Sequence, residues 1–168
     1  MSFDFESVER FIVGTVGQPG ERAFFIQARN SKRLITIALD KTQVALLAER
    51  LALVIKELRA DDLSLRKEAQ PQDDGPLEAP IESEFDVGAI SMEWDALDSM
   101  MSIEFSDIAQ VENGVDLSLR VRLSISMCDA FINRSKAVLN AGRLPCPFCA
   151  LPIDPQGHLC PRANGYRR

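Results

Sequence analysis

The sequence predicts an α+β protein: two β-β-β-α repeats sharing an antiparallel sheet or open barrel, followed by a C-terminal zinc knuckle. Three observations lead to this prediction. Three alternating strand patterns and one helical stripe follow each other twice along the 168 residues. A segment rich in Pro and acidic residues separates the two units. Three of the four cysteines and the only histidine lie within residues 146–160.

The first unit begins with residues 10–16, which are rich in β-branched and aromatic side chains and precede Gly and Pro turn residues. Two further strands are predicted at 22–29 and 34–39, where apolar side chains alternate with others. The apolar spacing then changes to three and four residues, which predicts a helix capped by Asp40 or Thr42. Its apolar stripe contains Val44, Leu47, Leu51, Val54 and Leu58.

The second unit follows the same order. Residues 85–94 predict a strand whose apolar parity shifts near 88–90, as a β-bulge would cause. Alternating patterns at 101–105 and 117–123 predict two more strands, and a helix ending at Gly142 follows. The inner stripe of that helix contains Cys128, Phe131, Ile132, Ser135, Val138 and Leu139. Cys128 is therefore predicted to be a small buried side chain rather than a reactive thiol.

Composition divides the chain into four parts. The first repeat is assigned to residues 1–60 and the second to 81–142. Residues 61–80 hold three Pro, one Gly and several acids and amides, which predicts a flexible linker. Residues 143–168 form the knuckle and a basic tail. Strict alternation in the strands predicts that each sheet keeps one face in water and is covered by helices on the other.

The C-terminal part contains a complete set of zinc ligands. Cys146 and Cys149 have the C-x-x-C spacing that places two thiolates on one ion. His158 and Cys160 are two residues apart, so in an extended segment both side chains point the same way. A Cys₃His set fills all four tetrahedral positions, which predicts a structural Zn²⁺ without an open position for catalysis. The alternatives are a redox pair, expected at a helix N-terminus, and a disulfide, expected in an oxidising compartment; neither context is indicated.

Charge is distributed unevenly along the chain. The total is −6, but residues 143–168 contain four Arg and one Asp, so this part carries +3 and the preceding 142 residues carry −9. The acidic body argues against binding of nucleic acid or anionic lipid over the whole surface. The basic tail either keeps the chain soluble or binds an acidic partner. Its candidate partner-binding residues are Arg162, Tyr166, Arg167 and Arg168.

The N-terminus is acidic and lacks the apolar stretch of a signal peptide, and no apolar run reaches the ~18 residues of a membrane span. A cytoplasmic protein without membrane contact is therefore expected.

Two stretches at the ends of the chain are distinctive. Residues 11–28 read Phe-Ile-Val-Gly-Thr-Val-Gly-Gln-Pro-Gly-Glu-Arg-Ala-Phe-Phe-Ile-Gln-Ala, and 158–168 read His-Leu-Cys-Pro-Arg-Ala-Asn-Gly-Tyr-Arg-Arg. Together with the Cys-Pro-x-Cys knuckle, they resemble an uncharacterised actinobacterial repeat-protein family, a domain of unknown function, over essentially the whole chain. In that family Gly often follows the second knuckle cysteine, where this chain has Ala150. The resemblance implies genes grouped with a lipid-kinase-like protein and a histidine-phosphatase-like protein, and by association a shared pathway.

Three classes of function fit the sequence to different degrees. A non-enzymatic zinc-binding scaffold or adaptor, which binds a protein partner through its knuckle, needs no further chemistry and is the first expectation. Binding of RNA or single-stranded nucleic acid through the basic zinc tail ranks second, because the strands show no exposed aromatic platform. An enzyme ranks third. With His158 assigned to zinc, only carboxylates such as Glu93, Asp95, Glu104 and Asp107 remain for a reaction in a cleft between the repeats.

Overall fold

The computed structural model describes residues 1–65, 71–107, 114 and 116–141. This part of the chain folds into seven strands and two helices. In chain order they are β1 (Ser2–Phe5), β2 (Arg10–Val16), β3 (Ala23–Arg29), β4 (Leu34–Leu39), α1 (Lys41–Asp61), β5 (Ala89–Asp95), β6 (Met100–Ser106), β7 (Ser118–Ser124) and α2 (Ile125–Asn140). The fold is α+β, and the order β-β-β-α occurs twice after one additional N-terminal strand.

The strands form two sheets. One has the order β1-β7-β6-β5, and the other has the order β2-β3-β4. Their neighbours run antiparallel, except that β1 runs parallel to β7. The single antiparallel sheet expected for both units is therefore not formed by the described residues. They form two sheets, and one of them contains β1 of residues 1–60 beside β5–β7 of residues 81–142.

β1 was not predicted from the sequence, because four residues with two polar side chains give too little pattern for a strand. The strand forms through its pairing with β7. Phe3 and Phe5 lie beside Leu119 and Val121 of β7 in the parallel register, and Phe5 is fully buried. The N-terminal strand thus forms because β7 offers a free edge over an apolar surface.

The predicted strand at 85–94 divides at Gly88 between the two sheets. Val87 donates its N–H to the carbonyl of Ala38 in β4 at 2.8 Å, so this part pairs with the three-stranded sheet. Gly88 then donates its N–H to the carbonyl of Ser106 in β6, also at 2.8 Å. The shift in apolar parity therefore marks a crossing between sheets, and the predicted bulge is wrong.

The first helix begins where the sequence indicates. In α1, Asp40 Oδ1 accepts the Gln43 N–H at 2.8 Å and Gln43 Oε1 accepts the Asp40 N–H at 2.9 Å, a reciprocal capping box. Asp40 rather than Thr42 is thus the cap. The buried stripe of α1 contains Val44, Leu47, Ala48, Leu51 and Ile55. Val54 and Leu58, predicted on the stripe, are half-buried because the buried face is rotated toward Ile55. Neither α1 nor α2 is long and apolar enough to cross a membrane.

A single hydrophobic core contains residues from both sheets and both helices. Phe11 of β2 lies at its centre, with its ring 4.7 Å from that of Phe131 in α2 and 6.3 Å from that of Phe105 in β6. α2 contacts β2 as well as β6 and β7, and α1 packs against α2. Residues 1–60 and 81–142 are therefore joined by a common core, as well as by the pairing of β1 with β7 and of Val87 with Ala38.

The segment at 71–80 lies over the second face of the three-stranded sheet. Gln27 of β3 is 1% exposed there, because its side-chain Nε2 donates to the Glu78 carbonyl at 2.9 Å and its Oε1 accepts the Glu78 N–H at 2.8 Å. Leu77 occupies the space above Gly14 of β2, where a Cβ would lie 2.5 Å from Leu77 Cγ. The expectation that each sheet keeps one face in water is wrong for this sheet. The domain boundaries at 60, 80 and 142 stay predictions.

Candidate functional site

The predicted zinc ligands lie outside the described residues. Cys146, Cys149, His158 and Cys160 belong to the part of the chain that follows residue 141, as do Arg162, Tyr166, Arg167 and Arg168. The zinc site and the partner-binding residues therefore stay predictions, and so does the helix end at Gly142. Among the residues that the structure describes, there is no group of three or more His, Cys, Asp or Glu side chains arranged to hold a metal ion.

Cys128 is the one cysteine of the described residues, and its environment makes it chemically inert. The side chain lies on the inner face of α2 and is fully buried, as predicted. Burial, together with the nearby Asp129 carboxylate, raises the pKa of the Cys128 thiol to about 12. Since the thiolate is the form that attacks electrophiles and binds metals, Cys128 is available for neither purpose near neutral pH.

The candidate catalytic carboxylates are only partly brought together. Glu93 and Asp95 line one open cleft of about 360 Å³ with Glu6, Trp94, Ala96, Ser102, Arg120 and Arg122. This cleft lies on the outer side of the four-stranded sheet, where β5, β6 and β7 are adjacent, and Glu6, which follows β1, also lines it. Glu104 and Asp107 do not line it. The cleft thus brings together two of the four carboxylates, and a carboxylate reaction stays a prediction.

Arg122 organises the charges of this cleft. Its guanidinium donates to Asp95 at 2.8 Å, to Glu6 at 3.1 Å and to Asp98 at 3.2 Å. These hydrogen bonds, led by that to Asp98, raise the pKa of Arg122. Asp98 lies in the β5–β6 turn and Glu6 lies in the segment after β1. Because both pair with Arg122, its guanidinium connects these two parts of the surface.

A second arginine, Arg134 of α2, is buried and only 8% exposed. Its Nε donates to the Val13 carbonyl of β2 at 2.6 Å, and its Nη1 donates to the Asp73 carbonyl at 2.7 Å. Burial lowers the pKa of Arg134, which the neighbouring Asp73 carboxylate partly offsets. One side chain therefore connects a helix, a strand and the segment at 71–80.

Asp73 is the shared anion of this cluster. Arg10 of β2 donates to it through Nε at 2.6 Å and through Nη2 at 3.0 Å, a bidentate geometry. The Arg10 hydrogen bond is the main reason that the pKa of Asp73 falls to about 2. Beside it, Glu78 pairs with Arg29 of β3 at 2.9 Å, and its buried Oε2 lies 3.8 Å from Arg10 Nη1.

Sequence analysis did not find this ion cluster. Asp73 is 63 residues from Arg10 and 61 residues from Arg134 in the chain. It also lies in the segment that composition assigned to a linker. The one available signal was Arg134, a charged residue beside the inner stripe of a predicted helix. The cluster combines three arginines with two carboxylates, and its hydrogen bonds go to protein groups. We therefore assign the cluster to stability of the fold rather than to chemistry.

Comparisons with curated proteins and with solved structures find no match to this chain. One family model, described as a protein of unknown function (DUF3090), matches residues 3–160. This range extends from β1 to the last predicted zinc ligand, Cys160, and the four candidate partner-binding residues follow it. The expectation of an uncharacterised family without a known function is confirmed to that extent. Because the match covers nearly the whole chain, the protein belongs to the DUF3090 family.

Proposed function

We propose that the protein is a non-enzymatic zinc-binding adaptor. Cys146, Cys149, His158 and Cys160 bind one structural Zn²⁺, and the knuckle so formed presents the basic tail to a protein partner. The observation that carries the proposal is the ligand set itself: the only histidine of the chain lies within fifteen residues of three cysteines, at C-x-x-C and H-x-C spacings.

The chemistry of the cysteines supports this assignment. The fourth cysteine, Cys128, is buried with a pKa of about 12, so it does not compete with the other three for a metal ion. A site of three thiolates and one imidazole has no position left for a catalytic water. Zinc bound there contributes folding energy to the knuckle, because a short Pro-rich segment has little apolar surface to bury.

The body of the protein supports a scaffold role. Its core, both sheets and both helices lie within residues 1–141. At the open cleft, Glu6 and Asp95 pair with Arg122, and we assign the ion cluster around Asp73 to stability of the fold. A folded body with a basic terminus that is held by bound zinc is suited to bind a protein partner.

The zinc assignment is tested by metal analysis of the purified full-length chain. We expect one Zn²⁺ per chain in the wild type and loss of the metal in Cys149→Ser. Cys128→Ala is the matched control, because it also removes one cysteine and should retain the metal. Metal-free native protein in which Cys146, Cys149 and Cys160 react freely with a thiol reagent would overturn the proposal.

Binding of RNA or single-stranded nucleic acid by the tail is the second candidate, which the local charge of +3 favours. Affinity purification separates the adaptor from the nucleic-acid alternative. It compares the wild type with a full-length Arg167→Ala/Arg168→Ala variant, and both the proteins and the nucleic acids that co-purify are identified. A protein that is lost with the two arginines, and whose binding changes little with salt, supports the adaptor. Co-purified nucleic acid whose affinity falls steeply with salt supports the alternative.

A further inference from the structure

α1 and β5 form the two walls of an open groove of about 510 Å³. α1 packs mainly against α2, and the space between the helix and β5 is open. On the helix wall Leu46 and Arg50 are exposed, whereas Leu47 is buried. The described residues that line the groove are Gln43, Leu46, Leu47, Arg50, Gly88, Ile90, Ser91 and Met92.

The strand wall of the groove is the edge of a sheet. Among the described strands β5 pairs only with β6, so the backbone N–H and C=O groups on its other side have no strand partner there. Natural proteins usually protect such an edge with proline, with a charged side chain on the inner face or by keeping the strand very short. β5 has seven residues without proline, and its side chains on the core side of the sheet are Ile90, Met92 and Trp94. This edge is therefore suited to pair with a further strand.

The apolar side of the four-stranded sheet is incompletely covered at β5. In the neighbouring strand β6, the side chains on the core side are at most 1% exposed; they are Met101, Ile103 and Phe105. The three side chains of β5 directly opposite them are only partly buried. A further strand beside β5 would place its own apolar side chains against these three and remove them from water.

Arg50 is the one charged side chain among the described residues that line the groove. It has no ion pair or hydrogen bond within the described part of the chain, whereas Arg59 of the same helix pairs with Asp129. The positions three and four residues from Arg50 offer no carboxylate, since they hold Leu46, Leu47, Leu53 and Val54. Charge complementarity thus favours an occupant with a carboxylate at this point. Residues 143–168 of this chain carry +3, so charge favours a segment of another protein.

We propose that the groove between α1 and β5 binds an extended peptide segment of a partner protein, which pairs with the free edge of β5 as an additional strand. The segment has apolar side chains at alternate positions and one carboxylate that pairs with Arg50. In this mode backbone hydrogen bonds supply affinity and side-chain contacts supply selectivity. A single strand buries a small area, so we expect a dissociation constant in the micromolar range. The site lies in the body of the protein and does not depend on the zinc proposal.

The test uses fluorescein-labelled peptides that match the seven residues of β5 in length. Val and Thr alternate in these peptides, and one position, which differs from peptide to peptide, is Asp. Fluorescence anisotropy with the full-length protein should show saturable binding of at least one peptide. Arg50→Glu should raise its dissociation constant about fivefold or more, and a peptide with Lys in place of Asp should bind this variant better than the wild type. Lys56→Glu is the control for the change in charge, because Lys56 is exposed on α1 and does not line the groove.

Leu46→Ser tests the helix wall and should weaken binding about tenfold, because it removes an apolar contact with the peptide. Leu53→Ser is its matched control: Leu53 is 56% exposed and Leu46 is 59% exposed on the same helix, but Leu53 does not line this groove. It should bind the peptide like the wild type. Circular dichroism of each variant shows whether it is folded.

Strand pairing is tested by methylation of alternate backbone nitrogens of the peptide. Only every second N–H of an added strand faces β5, so methylation of one alternate set should abolish binding and methylation of the other set should leave it intact. A wild type that binds none of the peptides overturns the proposal, whether the groove is then covered by residues 142–168 of the same chain or by a second copy. Binding that Arg50→Glu and Leu46→Ser leave unchanged, or that survives methylation of either set, overturns it as well.

Discussion

Single residues join parts of this protein that are far apart in the chain. Arg134 and Arg10 both contact Asp73, and through them α2 and β2 hold the segment at 71–80. An arginine as buried as Arg134 is stable only where its donors are satisfied, and here backbone carbonyls of Val13 and Asp73 accept two of them. Removal of the shared carboxylate takes the closest anion from Arg134 and Arg10, and leaves Arg10 with Glu78 at 3.8 Å.

Asp73→Asn is therefore expected to lower the free energy of unfolding by about 1–2 kcal/mol near neutral pH. The loss stays modest because the Asp73 side chain is 39% exposed, so solvent screens the pair. The pKa of Asp73 is depressed to about 2 in the folded protein and is about 3.9 in an unfolded chain. Its contribution is thus complete above pH ~4 and disappears as the pH falls toward 2.

Chemical denaturation of wild type and variant at several pH values measures this effect. The difference in free energy of unfolding should shrink between pH ~4 and ~2. Asp74→Asn is the control, because Asp74 is the exposed neighbour of Asp73 and should change stability by less than about 0.5 kcal/mol. A difference between wild type and Asp73→Asn that does not vary with pH would contradict the ion-pair account.

At the scale of elements, the main departure from expectation is the segment at 71–80. Its Pro and acidic residues correctly indicated that it forms neither helix nor strand in the described residues. They also suggested a free connection, whereas the segment covers one face of the three-stranded sheet. Leu77 can approach β2 closely because Gly14 has no side chain, and Glu78 hydrogen-bonds the buried Gln27.

Gly14→Ala should lower the free energy of unfolding by about 1–3 kcal/mol, because its Cβ would lie 2.5 Å from Leu77 Cγ. The same substitution in a Leu77→Ala background should cost little, since the clashing atoms are gone. Urea unfolding of the two single variants and the double variant measures this coupling. Strictly additive effects would show that Leu77 does not pack on Gly14.

For the whole molecule, one core joins the described parts of both sheets and both helices. Phe11, Phe105 and Phe131 bring both sheets and α2 into one cluster, and β1 pairs with β7 at the edge of the four-stranded sheet. We therefore expect the body to keep its packing without the C-terminal knuckle. Metal bound by the knuckle should stabilise the knuckle and leave the body unchanged.

A fragment of residues 1–142 should accordingly fold and unfold cooperatively. Near-ultraviolet circular dichroism reports this directly, because the single tryptophan, Trp94, lies in β5 against the core. Removal of zinc from the full-length chain by a chelator should likewise leave the Trp94 signal intact. Aggregation of the fragment, or loss of the signal with the metal, would show that the knuckle belongs to the core.

The local sequence determined both helices and most strands, though not β1, because apolar periodicity, turn residues and caps act within a few residues. It placed β2, β3, β4 and α1 close to their observed bounds, and it indicated Cys128 as a buried residue. It also determined the zinc hypothesis, which depends on ligand spacing alone. Only the tertiary structure decided how the strands pair, where the chain crosses between sheets at Gly88, and what covers Gly14. Those outcomes depend on free edges and surface shapes contributed by residues distant in the chain, and no local pattern encodes them.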